Sequence, residues 1–228
     1  MTTAPLVDDG DRPPRRIRLT LDGAAGARAA LQTAVTLARQ FQADLEAMLV
    51  QHVALGRAAG LPFAAEVSLF AGAERRLNAP TMQRQLHAVA AEVHVLLAEL
   101  AAPARINWSL HTLTRSRWET VLTEPDEPGV LVVGHQERHR LVVRTPVESA
   151  ERVVVVDADG PRGRLARRVA LALDPNPMMV PTTVDNLMPQ IAALRPRVLI
   201  LPAGAAAERL AALRPLLARL DCTVLLVG

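Results

Sequence analysis

The chain has 228 residues, of which 50% are apolar and only 2% aromatic. All 26 basic residues are arginine and the formal net charge is +3, which with so few stacking aromatics argues against nucleic-acid binding. A single cysteine, Cys222, excludes a disulfide framework and suits a reducing compartment. Since no run approaches about 18 continuous apolar residues, the composition predicts a cytoplasmic protein with an Ala/Leu/Val core and no membrane partner.

The beginning of the chain predicts a tail followed by a βαβ unit. Residues 1–16 lack periodicity and carry three aspartates and a Pro-Pro pair, which indicates a flexible tail. Ile17 to Asp22 favours a strand, Ala27 to Phe41 an amphipathic helix, and Asp44 to His52 a second strand. A strand, helix and strand in this order predict parallel pairing with a right-handed crossover.

The next part of the chain is irregular at first. Residues 53–79 could form two short helices, either as a lid on the sheet or as an apolar surface for a partner. Residues 81–101 have apolar positions at helical spacing and predict one long helix. A strand at 106–113 and a short helix at 118–122 are expected to follow.

The most informative stretch is Val130 to Val133, bounded by Pro128-Gly129 and Gly134. An apolar run of this kind predicts a strand buried on both faces, as in the centre of a parallel sheet. Ligands in open α/β sheets bind beyond the carboxyl ends of the strands, so Gly134 and the residues after it are the first candidates for a site.

The pattern then begins again, which predicts an internal repeat. Asp159-Gly160-Pro161-Arg162-Gly163 repeats the Asp-Gly-x-x-Gly of Asp22 to Gly26, each between a strand and a helix. The second copy is expected to contain strands at 153–156, 198–201 and 223–227 and helices at 165–173 and 206–220. We therefore predict a tail (1–16), a first α/β domain (17–148) and a shorter second α/β domain (149–228).

These residues resemble the universal stress protein family. The matches are Asp22-Gly23 after the first strand, Leu131 to Gly134, and the ending Cys222 to Val227, which is similar to the family's Cys-Pro-Val-Leu-Val-Val with Thr223 in place of proline. The resemblance covers both halves. It implies a tandem member with a degenerate second copy, Rossmann-like open parallel sheets, and dimer-like packing, frequently through the last strands.

The resemblance also implies a nucleotide cleft. Family members that bind ATP keep Gly-x-x-Gly, nine residues, and Gly-Ser/Thr after the fourth strand, because glycine lets backbone N–H groups approach phosphates. Here Gly134 takes the first position, but Glu137 and Val147 replace the other two glycines. Arginines after Gly134 could pair with phosphate instead. The candidate cleft residues, with ATP or AMP as the candidate ligand, are Asp22, Gly23, Gly134, His135, Gln136 and Arg138.

No catalytic constellation is found in the sequence. His135 and His139 have the i, i+4 spacing of metal ligands, but they follow a strand, and a polar loop is the favoured interpretation. Asp157 and Asp159 resemble the acidic pair of a receiver domain, whose chemistry needs a lysine that this chain lacks. The absence of lysine also excludes a P-loop.

The sequence thus leads to one main hypothesis and two alternatives. The main hypothesis is a non-enzymatic, universal-stress-like regulatory or interaction protein with a degenerate cleft, whose partner is a second copy of itself or an unidentified protein. The first alternative is an AMP/ATP sensor that uses Asp22 and the loop after Gly134. The second is a metal-dependent enzyme at His135 and His139.

Overall fold

The computed structural model describes residues 12–21, 23, 27–51, 61, 63, 65–67, 72, 74–76, 79–114, 129–134, 152–181, 187–202 and 222–228. Its helices are α1 (Ala27–Phe41), α2 (Ala79–Ala104), α3 (Pro161–Leu173) and α4 (Leu187–Leu194). Its strands are β1 (Arg16–Leu21), β2 (Asp44–Gln51), β3 (Ala65–Val67), β4 (Glu74–Arg76), β5 (Trp108–Thr114), β6 (Val130–Val133), β7 (Val153–Asp157), β8 (Met178–Pro181), β9 (Val198–Pro202) and β10 (Thr223–Val227).

Eight of the strands form one sheet in the order β5-β2-β1-β6-β10-β9-β7-β8. The first four are mutually parallel, and so are the last four. The two half-sheets meet at an antiparallel seam between β6 and β10, where Val130 lies opposite Val227 and Val133 opposite Val224. The predicted α/β class with a mostly parallel open sheet is confirmed. The division into domains 17–148 and 149–228 stays a prediction.

One hydrophobic core runs across the seam on the face of the sheet that carries α1, α2 and α3. It contains Ile17 and Leu19 from the first half-sheet together with Val155, Ile200 and Leu225 from the second. The short β-branched runs form strands here because both of their faces are covered: Val153 to Val156 are at most 3% exposed. On the opposite face, α4 contributes the buried Ile191 to a second cluster over the second half-sheet.

Several elements differ from the sequence prediction. Apart from Ala79, which begins α2, the described parts of residues 53–79 contain no helix but an antiparallel pair, β3 and β4, with Ala65 opposite Arg76. Strand β8 and helix α4 were not predicted, because the prolines that flank Met178 to Val180 and the one inside α4 interrupt both patterns. The helices expected at 118–122 and 206–220 and most of the expected tail lie outside the described residues.

Helix α2 contrasts with the sequence, which predicted no membrane-spanning helix. By length and composition alone, Pro80–Ala104 is long and apolar enough to cross a membrane, with a mean hydropathy of 1.3 and 17% of its most apolar 18-residue window buried. One such helix is weak evidence for a membrane span. In this fold α2 packs on α1 and on the sheet, burying Val93, Leu97 and Ala101.

Candidate functional site

The predicted cleft lies where β1 and β6 end side by side. The two strands are parallel neighbours, with Thr20 opposite Val133, so Gly23 and Gly134 follow them at the same edge of the sheet. This is the edge at which an open α/β sheet binds ligands. The structure therefore brings two of the predicted residues to one edge. The other four, Asp22, His135, Gln136 and Arg138, lie outside the described residues.

Gly134 is held tightly against the end of β1 and the beginning of α1. A Cβ atom at this position would lie 2.7 Å from Leu21 Cδ2 and 3.2 Å from both Ala30 Cβ and the Thr20 carbonyl oxygen. Its backbone N–H donates a hydrogen bond to that same Thr20 oxygen, at 2.9 Å. Close packing is thus sufficient to require glycine here, and the Gly134 N–H already has an acceptor within the sheet.

We expect Gly134→Ala to lower the free energy of unfolding by about 1–3 kcal/mol, because the added methyl overpacks a filled site. Leu21→Ala alone should cost about 2–5 kcal/mol as a cavity substitution. The double variant should lose about 1 kcal/mol less free energy of unfolding than the sum of the two single variants. Leu21→Ala removes Cδ2, the atom that the methyl added at position 134 would approach most closely. Urea denaturation of the four proteins measures this coupling. Strict additivity would contradict a packing role for Gly134.

At the equivalent edge of the second half-sheet, the end of β7 carries an ion pair. Asp157, the last residue of β7, accepts a hydrogen bond from Arg167 Nε on α3 at 2.6 Å, and Arg167 Nη2 contacts the same oxygen, Oδ1. The two side chains are 32% and 41% exposed. Sequence analysis singled out Asp157 but not Arg167. The sequence does carry a signal for this pair. Arg167 lies ten residues after Asp157, in the predicted helix that follows the strand. In a strand–turn–helix unit, the helix folds back over its own strand and brings such residues together.

The turn between β7 and α3 explains the second Asp-Gly-x-x-Gly sequence. Gly160 has φ +87°, a conformation that favours glycine. A Cβ on Gly163 would lie 1.7 Å from the Ala158 carbonyl oxygen, so only glycine fits this close approach of helix and turn. Both glycines therefore have conformational or packing reasons that need no ligand. In the first copy, Gly23 is described and half-buried, whereas Asp22 and Gly26 lie outside the described residues.

The two candidate edges point in opposite directions. Because β10 runs antiparallel to β6, the end of β10 lies beside the beginning of β6, where Gly129 and Gly228 exchange backbone hydrogen bonds of 2.8 and 3.1 Å. The carboxyl ends of the second half-sheet are thus at the opposite side from Gly23 and Gly134. A ligand bound at one edge would not share residues with a ligand at the other.

Metal binding has no candidate in the part of the chain that the structure describes. No group of three or more His, Cys, Asp or Glu side chains is placed there to hold an ion. His87 and His94 on α2 are both exposed, and His94 makes an edge-to-face contact with Trp108, with ring centroids 5.1 Å apart. His135 and His139, the pair with metal-ligand spacing, lie outside the described residues.

Comparison with known proteins finds a solved structure of similar fold, but no protein family that matches the sequence. No family model matches the chain, and no curated protein matches it. Its fold is similar to the crystal structure of a universal stress protein from Archaeoglobus fulgidus DSM 4304, with a TM-score of 0.44 and 9% sequence identity over 92% of this chain and 95% of that one. A likeness at this level transfers neither family membership nor function.

Proposed function

We propose that this protein is a non-enzymatic, universal-stress-like regulatory or interaction protein whose first cleft is degenerate and whose second is closed. The proposal includes a tandem origin of the two half-sheets, action in the cytoplasm, and assembly with a second copy or another protein. The sequence repeat and the two parallel half-sheets joined by a single antiparallel seam support the tandem origin.

The observation that carries the proposal is the environment of Gly134. A phosphate loop needs glycines whose N–H groups are turned toward the ligand, so that backbone can approach it closely. Gly134 is the one glycine retained from the family pattern. Its N–H is bonded to the Thr20 carbonyl oxygen, and a Cβ at this position would lie within 3.2 Å of the Leu21 and Ala30 side chains. The presence of glycine at position 134 is therefore accounted for by packing, and the other two glycine positions hold Glu137 and Val147.

The second half-sheet supports the same conclusion through Asp157. A carboxylate at a strand end could receive a ribose or a cation, but Arg167 occupies it from α3. The pair is only partly buried, so its contribution to stability is modest, about 0.2–1 kcal/mol for pairs of this exposure. Its effect on ligands is more direct, because a ligand at Oδ1 of Asp157 would have to compete with the guanidinium.

The proposal is tested by a thermal shift of the full chain with ATP, AMP and ADP. A ligand at a concentration of 100 times its Kd stabilises a protein by about 2.7 kcal/mol, which would raise the Tm of a chain of this size by roughly 5–10 °C. We expect a shift of less than about 1 °C at 1 mM nucleotide. A shift of several degrees would overturn the degenerate cleft.

The nucleotide-sensor alternative is kept because Gly23 and Gly134 do meet at the ligand edge of the sheet. In that function, Asp22 would hold the ribose and the arginines after Gly134 would pair with phosphate. It predicts a measurable affinity in the wild type that Asp22→Ala abolishes. Asp44→Ala, which removes an exposed carboxylate at the other end of the first half-sheet, is the matched control and should leave that affinity unchanged.

A further inference from the structure

The eight-stranded sheet has two edge strands, β8 and β5, and they differ in how well they are protected. Strand β8 has four residues, follows Pro177 and ends in Pro181, and proline cannot donate a hydrogen bond to a further strand. Strand β5 has seven residues, WSLHTLT, with no proline and no charged side chain. Prolines, charges and short length are the features that keep an edge strand from pairing with another chain. Strand β5 has none of them.

The hydrogen bonds between β5 and β2 show which backbone groups of β5 face outward. The Leu45 N–H donates to the Asn107 carbonyl oxygen at 2.9 Å, and Leu45 lies opposite Trp108 in the parallel ladder. In a parallel pair, each strand then bonds through every second residue. The residues of β5 whose N–H and C=O groups face away from β2 are therefore Trp108, Leu110, Thr112 and Thr114. No described strand pairs with this side of β5.

Helix α2 lies over this edge of the sheet and leaves apolar surface beside it. His94 on α2 contacts Trp108 at the beginning of β5, with ring centroids 5.1 Å apart. Trp108 and Leu110 are half-buried, and only 17% of the most apolar 18-residue window of α2 is buried. Unpaired backbone and uncovered apolar surface thus occur together at the β5 edge.

The last strand of the chain offers no such edge. The resemblance to universal stress proteins implied packing through the last strands, but β10 is paired on both of its sides, with β6 and with β9. A second copy of the chain therefore has to use another surface. Of the two edges of the sheet, β5 is the one with free backbone groups and without proline.

We propose that a second copy of this chain pairs with β5 in antiparallel orientation, so that the sheet continues from one copy into the other. Under two-fold symmetry the interface is the same strand in both copies. A register with His111 opposite itself pairs all seven residues and sets the outward-facing residues opposite one another, as an antiparallel ladder requires. Since β5 carries no charge, the strands do not repel each other. The two α2 helices then lie on the same face of the joined sheet.

This inference rests on the assembly with a second copy that the proposed function includes, and it names the surface. It does not depend on the nucleotide cleft at the ends of β1 and β6. The main test is sedimentation equilibrium of the full chain at about 1–100 μM, a range that covers micromolar dissociation constants. We expect the wild type to form a dimer.

Thr112→Pro is the variant that blocks the β5 edge. Thr112 is exposed and its N–H faces away from β2, so proline there removes no hydrogen bond of the sheet within one chain. It should raise the dissociation constant of the dimer by at least about thirtyfold, because each copy loses one donor to its partner. Thr112→Val keeps the N–H and is the matched control, which should remain a dimer. Far-UV circular dichroism verifies that both variants are folded.

Disulfide cross-linking tests the register without changing the edge backbone. In the proposed pairing, His111 and its symmetry mate form a non-hydrogen-bonded pair with Cα atoms about 4.5 Å apart, so His111→Cys should cross-link two chains under mild oxidation. Ser109→Cys is the control, because its symmetry mate would be about 13 Å or more away. The parent chain gives the background from Cys222, which is buried.

The outcomes separate this surface from the assembly itself. A dimer that Thr112→Pro leaves intact would overturn the β5 interface, as would cross-linking at position 109 that equals or exceeds cross-linking at position 111. A wild-type chain that stays monomeric up to about 100 μM would overturn both the interface and the assembly with a second copy. None of these results bears on the degenerate cleft, which the nucleotide titrations test separately.

Discussion

Gly163→Ala is expected to be the most damaging of the substitutions considered, with a loss of more than about 4 kcal/mol in the free energy of unfolding. The added Cβ would lie 1.7 Å from the carbonyl oxygen and 2.6 Å from the carbonyl carbon of Ala158. These are backbone atoms of the turn that leaves β7, so no side-chain rotation relieves the contact. Helix α3 would have to move away from β7, exposing Leu165 and Val169. Soluble yield and urea denaturation measure the effect.

Gly72→Ala is the control for this prediction. Gly72 has φ +60°, but no atom of the described residues beyond its chain neighbours lies within 4 Å of the position of its Cβ. Only the backbone conformation opposes alanine there, which should cost on the order of 1 kcal/mol. If the two variants lose the same free energy, the close approach of Gly163 to Ala158 is not what requires glycine in the turn.

Leu225→Ala is expected to lower the free energy of unfolding by about 2–5 kcal/mol, as Leu21→Ala is. Leu225 is fully buried in β10, opposite Val132 across the seam and beside Ile200 on β9. Because the core on this face is continuous from the first half-sheet to the second, the loss should appear in one cooperative transition. Val95→Ala, at an exposed position of α2, should change stability by no more than about 0.5 kcal/mol.

The two probes of this transition report different parts of the chain. Both tryptophans, Trp108 and Trp118, precede the seam, whereas far-UV circular dichroism reports helices and strands throughout. Leu225 belongs to the second half-sheet, on the seam strand β10 itself. We expect Leu225→Ala to shift the tryptophan transition and the circular-dichroism transition together, as one cooperative unit requires. A circular-dichroism transition that moves while the fluorescence transition stays in place would mean that the two halves unfold independently.

The sequence was sufficient to predict the helices and strands that have a recognisable pattern of apolar residues within their own segment. Helix α1 was predicted with the bounds that the structure gives it, because its apolar residues recur at helical spacing. Strands β6, β7 and β10 were predicted because each is a short apolar run between turn residues. Strand β8 was missed because only Val180 is buried in it, Pro177 precedes it and Pro181 is its last residue. The antiparallel seam could not be predicted, since strand order depends on contacts between distant segments.

The candidate site was predicted by position but not by environment. The place of Gly134 after a buried strand indicated a ligand edge, and the structure puts Gly23 at the same edge. The space that a Cβ at position 134 would need is taken by Leu21 and Ala30, which lie far from it in the chain and leave no local pattern.

The central claim, a cleft that no longer binds nucleotide, is tested most directly by calorimetric titration of the full-length protein with ATP. Binding at a Kd in the micromolar range corresponds to about −8 kcal/mol and would be measured readily. The degenerate cleft predicts heats no larger than those of dilution, both for the wild type and for Asp22→Ala. A saturable isotherm for the wild type that Asp22→Ala removes would contradict the claim and establish the sensor in its place.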